Sequence, residues 1–129
     1  MKLAVVGTRT FERAELVSAY LDRCRREQPD LVIVSGGARG ADRLAAEYAR
    51  RHHLDLVLFH ADWQAHGRRA GALRNKQIVD AAEALVAFWD ERSPGTKISL
   101  EMAVRKGIPA TIVNAEGVEY VYPIIHVVK

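Results

Sequence analysis

Short apolar runs punctuate the chain, and between them apolar residues return at helical spacing. Lys2–Val6, Leu31–Val34, Leu54–His60, Ala84–Trp89 and Pro109–Val113 read as strands. From about Phe11 to Arg26, Leu16, Val17, Tyr20, Leu21 and Cys24 mark a helix that Pro29-Asp30 ends. Asp42–Arg51 is a second helix, with Leu44, Ala45, Tyr48 and Ala49 on one face. Ala61–Arg69 shows no period and reads as irregular. Ala70–Ala81 is helical through Leu73, Ile78 and Val79. After a loop at Asp90–Gly95, Thr96–Lys106 is helical with Ile98, Met102 and Ala103 inward, stopped at Gly107. Strands that are apolar throughout, alternating with helices, predict a parallel sheet covered on both faces. The expected architecture is a three-layer α/β domain over residues 1–129, with five parallel strands in the order 3-2-1-4-5. Gly117–Lys129 changes character: Val118, Tyr120, Tyr122, Ile124, Ile125 and Val127 are β-prone around Pro123. A short hairpin, an edge strand and a homo-oligomer contact are alternatives for it, and the proline demotes it to an edge.

A chain of 129 residues is one domain, enough to bury roughly two thirds of its unfolded surface. No apolar run approaches ~18 residues, so no membrane span or membrane partner is expected. Gly7-Thr8-Arg9 interrupts the opening apolar run too early for a signal peptide. A lone cysteine, Cys24, forbids an internal disulfide, fits a reducing cytoplasm, and continues the apolar stripe of the first helix. The net charge of +3 permits a nucleic-acid partner without demanding one. Arg39, Arg68, Arg69, Arg74 and Lys76 fall in or beside connections, whereas Arg23, Arg25 and Arg26 crowd a helix end, where its dipole favours them.

The candidate chemistry sits at strand ends. Val34-Ser35-Gly36-Gly37-Ala38-Arg39-Gly40-Ala41-Asp42 is a glycine loop between a strand and a helix, an arrangement that leaves N–H groups free for phosphate. A tight structural turn is the alternative for that loop taken alone. Gly7-Thr8-Arg9, the segment from Asp62-Trp63 to Arg74-Asn75, and Ser93-Pro94-Gly95-Thr96 follow three other strands. In an open parallel sheet, ligands gather at such ends. Helix starts for phosphate, an arginine fork for charge and an aromatic face for a base suit a nucleotide.

Val5-Val6-Gly7-Thr8-Arg9-Thr10 and the Ser35–Asp42 loop together resemble the paired signature of the SLOG superfamily, which includes DprA and the LOG phosphoribohydrolases. Ala61-Asp62-Trp63, Ala70-Gly71-Ala72-Leu73-Arg74-Asn75 and Ser93-Pro94-Gly95-Thr96 resemble its small single-domain YspA-like branch. The resemblance implies a Rossmann-like fold that binds a nucleotide or nucleotide-derived ligand as a sensor or carrier. It carries ligand contacts to Gly7, Thr8 and Arg9, to Ser35, Gly36, Gly37, Ala38 and Gly40, and to Ser93, Pro94, Gly95 and Thr96. Arg74 and Asn75 match the branch motif in position, and Trp63 is the stacking candidate. LOG-type hydrolases carry a catalytic glutamate three residues after the motif threonine; here Ser99 holds that position, and Glu101 is off register by about 200° of helix. Glu101, Asp42 and Asp62 are therefore weak catalytic candidates, and N-glycosidic hydrolysis of a nucleoside monophosphate ranks second to binding. Binding of single-stranded nucleic acid, as in DprA, ranks third, because aromatic residues are only 7% of the chain and strand grooves stack bases on rings. No metal site is expected, since His60 and His66 lack a second ligand at metal spacing, and no cofactor is assigned. Arg9 is expected to be the most ligand-critical side chain; the alternative is a strut pairing with Asp42.

Overall fold

The computed structural model describes residues 1–123. Six strands form one sheet: β1 (Lys2–Gly7), β2 (Val32–Ser35), β3 (Asp55–Leu58), β4 (Ala84–Phe88), β5 (Ala110–Val113) and β6 (Glu119–Tyr122), in the order β3-β2-β1-β4-β5-β6. The first five are parallel throughout, with β1 central between β2 and β4. β6 returns antiparallel along β5, pairing Val113 with Glu119 and Ala110 with Tyr122. The C-terminal segment is thus an edge strand as far as it is described; Ile124, Ile125 and Val127 lie outside the described residues.

The alternation of side chains along β1 divides the core. Leu3 and Val5 face α1 (Ala14–Glu27) and α2 (Ala41–Arg51), packing with Val17, Leu21, Ala45 and Tyr48. Ala4 and Val6 face the other way, against Ile78 and Val79 of α4 (Ala70–Ala81) and Leu100 and Ala103 of α5 (Pro94–Lys106). Each central strand is buried on both faces, which is why it reads as an unbroken apolar run.

Three details depart from the sequence reading. The segment expected to be irregular contains a one-turn helix, α3 (Trp63–His66), and a 3-10 turn at Gly67–Arg69. Asp62 starts α3 by accepting the Ala65 N–H at 3.0 Å; local capping suffices for one turn and needs no apolar period. Phe11 lies before α1 rather than in it, buried against Phe88 with ring centroids 5.5 Å apart. Ile98, expected inward, is 44% exposed, because Thr96, Ser99, Leu100 and Ala103 form the buried face of α5.

Candidate functional site

The chain leaves β1 for α1 on one face of the sheet and leaves β4 for α5 on the other, so the two connections part above the carboxyl ends of adjacent strands. A cavity of about 580 Å³ opens there. Gly7, Thr8, Arg9 and Thr10 line it from the β1 connection, Ala38 and Asp42 from the β2 loop, Arg74 and Asn75 from α4, and Ser93, Pro94, Gly95 and Thr96 from the start of α5. Ten of the residues expected at a ligand are therefore gathered round one space, since every one named here except Thr10 and Asp42 was expected to touch a ligand, and Gly71 and Ser99 add to the wall.

Thr8 ties two of these walls together. Its hydroxyl oxygen accepts the Asp90 N–H at 2.9 Å and the Ser93 hydroxyl at 3.3 Å. Asp90 in turn accepts the N–H groups of Arg92 and Ser93 at 2.9 and 2.8 Å, which turns the chain into α5. Pro94 occupies the first helical position, and Ser93 provides no side-chain cap. The N–H groups of Gly95 and Thr96 precede the first intrahelical bond, Lys97 N–H to Ser93 O at 3.4 Å, so this helix start presents uncapped donors beside the cavity.

Asp42 is the least ordinary member. It lies in the first turn of α2, lines the cavity, and is only 7% exposed. Its Oδ2 accepts the Ala38 N–H at 3.3 Å. Burial pushes its carboxyl up to about 6, against the opposing pull of Arg74, the Ala38 and Gly36 amides and Arg9. Arg74 is held over the β2 loop, donating to Gly36 O at 3.1 Å and to Asn75 Oδ1 at 3.0 Å. The alternative reading of Arg9, a strut pairing with Asp42, does not form: Arg9 is exposed and makes no ion pair or side-chain hydrogen bond among the described residues.

The other expected site residues lie outside this wall. Ser35 is fully buried, and its hydroxyl donates to Asp42 O at 3.2 Å, so it pins the loop to the helix from beneath. Gly36 and Gly40 answer to protein neighbours. A Cβ on Gly36 would lie 2.6 Å from Arg74 Nη1 and 2.9 Å from Asp42 Oδ2. One on Gly40, whose φ is 73°, would lie 2.2 Å from Thr8 O. The close backbone approach that glycine permits is here an approach to the first loop. Gly37 packs under His60. Trp63 is 54% exposed, its Cη2 3.5 Å from where a Cβ on Gly71 would stand, and Gly71 lines the cavity. Asp62 caps α3, and Glu101 is exposed on α5; neither reaches the cavity, whereas Ser99 does. Reading from sequence passed over Asp90, although a carboxylate four residues before a proline-led helix is a turn signal.

Residues 1–66 match the YspA, cpYpsA-related SLOG family. The Gene 61 protein of Mycobacterium phage D29 is 37% identical over 115 residues, covering 84% of this chain and 92% of that protein. The chain belongs to this SLOG family. Among solved structures, the SLOG chain is similar to DNA processing protein A (DprA) from Streptococcus pneumoniae, with a TM-score of 0.73 and 22% identity over 86% of the chain. It is also similar to DprA from Helicobacter pylori, with a TM-score of 0.69 and 20% identity over 87% of the chain. It spans 49% and 64% of those two chains, and the likeness is one of fold.

Proposed function

We propose that this SLOG protein binds a nucleotide or nucleotide-derived small molecule, as a sensor or carrier, in the cavity at the carboxyl ends of β1, β2 and β4. One observation carries the reading: Arg9, unpaired among the described residues, the uncapped start of α5 and the buried Asp42 line the same space. The helix start supplies about half a unit of positive charge and free N–H donors, and a phosphate there gains a full charge from Arg9. Trp63 at the rim supplies an aromatic face. A reducing cytoplasm fits the single cysteine.

Hydrolysis ranks below binding because Glu101 stands away from the cavity, leaving Asp42 and Asp90 as its carboxylates. Single-stranded nucleic acid is a second reading. The H. pylori DprA structure is described as binding single-stranded DNA, and Arg9 also borders a shallower groove that holds Arg39 and Arg43 beside Glu12 and Glu47. A thermal-shift panel of nucleoside mono- and diphosphates, cyclic nucleotides and ADP-ribose derivatives tests the first reading. A ligand at 100 times its Kd stabilises the fold by about 2.7 kcal/mol, and Arg9→Ala abolishes the shift. No shift with any member of the panel refutes it. Binding of an oligonucleotide with a steep salt dependence and no response to mononucleotides favours the second reading.

A further inference from the structure

The two edges of the sheet are not alike. β3 opens on a charge, Asp55, and its exposed valine, Val57, is 36% accessible. On β6, Val121 is 68% accessible, and Val118 just before the strand is exposed as well. A strand edge is ordinarily blunted by a lysine, a bulge or a covering helix. Among the described residues β6 has no lysine, its register against β5 is unbroken, and its one charge, Glu119, is spent on Arg23 at 2.6 Å. A groove between α1 and β6, lined by Leu16, Tyr20, Arg23 and Glu119, leaves the α1 side of this edge uncovered.

The hydrogen-bond ladder shows which main-chain groups are left over. Val113 O accepts the Trp89 N–H and Pro109 O accepts the Leu85 N–H, so the odd-numbered residues of β5 turn toward β4. The even-numbered ones turn toward β6, as Asn114 does in donating its N–H to Val118 O at 3.0 Å. Ile112 stands opposite Tyr120 and Ala110 opposite Tyr122, so both tyrosines direct their main-chain groups at β5. Glu119 and Val121 direct theirs to the open edge. The side chains alternate to match: Tyr120 and Tyr122 pack on the α4 and α5 side, and Val121 lies on the other face beside Thr111.

We propose that a second copy of this chain occupies this edge, with β6 antiparallel to the partner's β6 about a two-fold axis at Val121. The strand is its own complement in that register. Val121 and the partner's Val121 form a hydrogen-bonded pair, each donating its free N–H to the other's C=O. Tyr120 stands opposite the partner's Tyr122 on one face, and the two valines meet on the other, which are stabilising cross-strand pairs. Glu119 falls opposite the partner's Pro123, so the two acidic side chains do not meet. The contact is independent of what the cavity binds, because no residue of β6 lines that cavity. A strand of four residues a side buries less than the ~1,200 Å² of a standard interface, so the dimer is weak and reversible.

Sedimentation velocity of the full chain between about 1 µM and about 1 mM detects this dimer, with a Kd on the order of 10–100 µM. Val121→Lys sets two ammonium groups at the axis and raises the Kd at least ~10-fold. Because that side chain is exposed in a single copy, the melting temperature at low concentration stays that of the wild type. Amide exchange followed by NMR on the wild type locates the seam. The Val121 N–H exchanges more slowly as concentration rises, whereas those of Tyr120 and Tyr122, already bonded to β5, keep their rates. A wild type that stays monomeric throughout the range overturns the proposal, whatever else takes the edge. A dimer that Val121→Lys leaves intact overturns it too, as does one in which Val121 exchanges at the same rate at every concentration.

Discussion

Replacing Asp42 by Asn measures what it costs the fold to keep a charge beneath the cavity. In the unfolded chain this carboxyl ionises near 3.8; in the fold, burial moves it to about 6. A group that holds its proton more tightly when folded contributes stability at low pH, and that contribution is lost as pH rises through the window between the two values. A gap of about two units, at ~1.4 kcal/mol each, amounts to about 3 kcal/mol that the wild type loses between about pH 4 and pH 6 and does not recover above. Arg74 from α4, Arg9 from the first loop and the Ala38 and Gly36 amides oppose this loss, and the net shift already includes them. Asparagine keeps the shape and an acceptor for the Ala38 N–H, but it does not titrate. Its stability relative to wild type should rise by about 3 kcal/mol from pH 4 to pH 7.5. Urea unfolding followed by circular dichroism at half-unit steps of pH gives the difference, and the other carboxylates, common to both proteins, cancel. A difference that stays flat with pH would show that the arginines and amides balance burial, and one that moves toward the wild type as pH rises would show that they outweigh it and that the carboxylate is a structural anchor.

Gly40→Ala places a Cβ 2.2 Å from Thr8 O at a φ of 73°, and should cost about 2–5 kcal/mol of unfolding free energy. Gly95→Ala meets nothing within 4 Å and should be neutral or gain up to about 1 kcal/mol in the same urea titration. Lys106 reaches from the end of α5 to the carbonyls of Val79, Asp80 and Ala82, at 3.0, 2.6 and 2.8 Å. Lys106→Met should lower stability by about 1 kcal/mol, and less at high salt if the helix dipole is part of the effect. Arg9→Lys should weaken any nucleotide found in the thermal-shift panel by about 1–3 kcal/mol with the melting temperature of the free protein unchanged. A lower melting temperature with affinity intact would make Arg9 a structural residue.

The sheet could be read from the chain alone because its cause is local and repeated. Strands without a polar face, each followed by a helix, leave few solutions other than a parallel sheet covered on both sides, and β3-β2-β1-β4-β5 is one of them. The edge position of β6 was one of three readings that Pro123 and the β-prone residues allowed, and pairing with β5 decides it as far as the structure is described. The site was legible as a set of strand ends for the same reason: ligand loops in such a fold occur at the carboxyl ends of strands, which the apolar runs mark. What each residue does there was not legible. Gly40 and Gly36 looked like room for a ligand, but the space is taken by Thr8 and by Arg74, which reach them from other elements. Ser35 looked like a contact, and its hydroxyl is buried under Asp42. Pairing of Arg9 with Asp42 was only the alternative reading, and Arg74, arriving from α4, acts more strongly on the carboxylate than Arg9 does. A sequence determines the local preferences of each segment, and these repeat along the chain. The burial of Asp42 and the freedom of Arg9 depend on which distant segments meet, and only tertiary packing decides that.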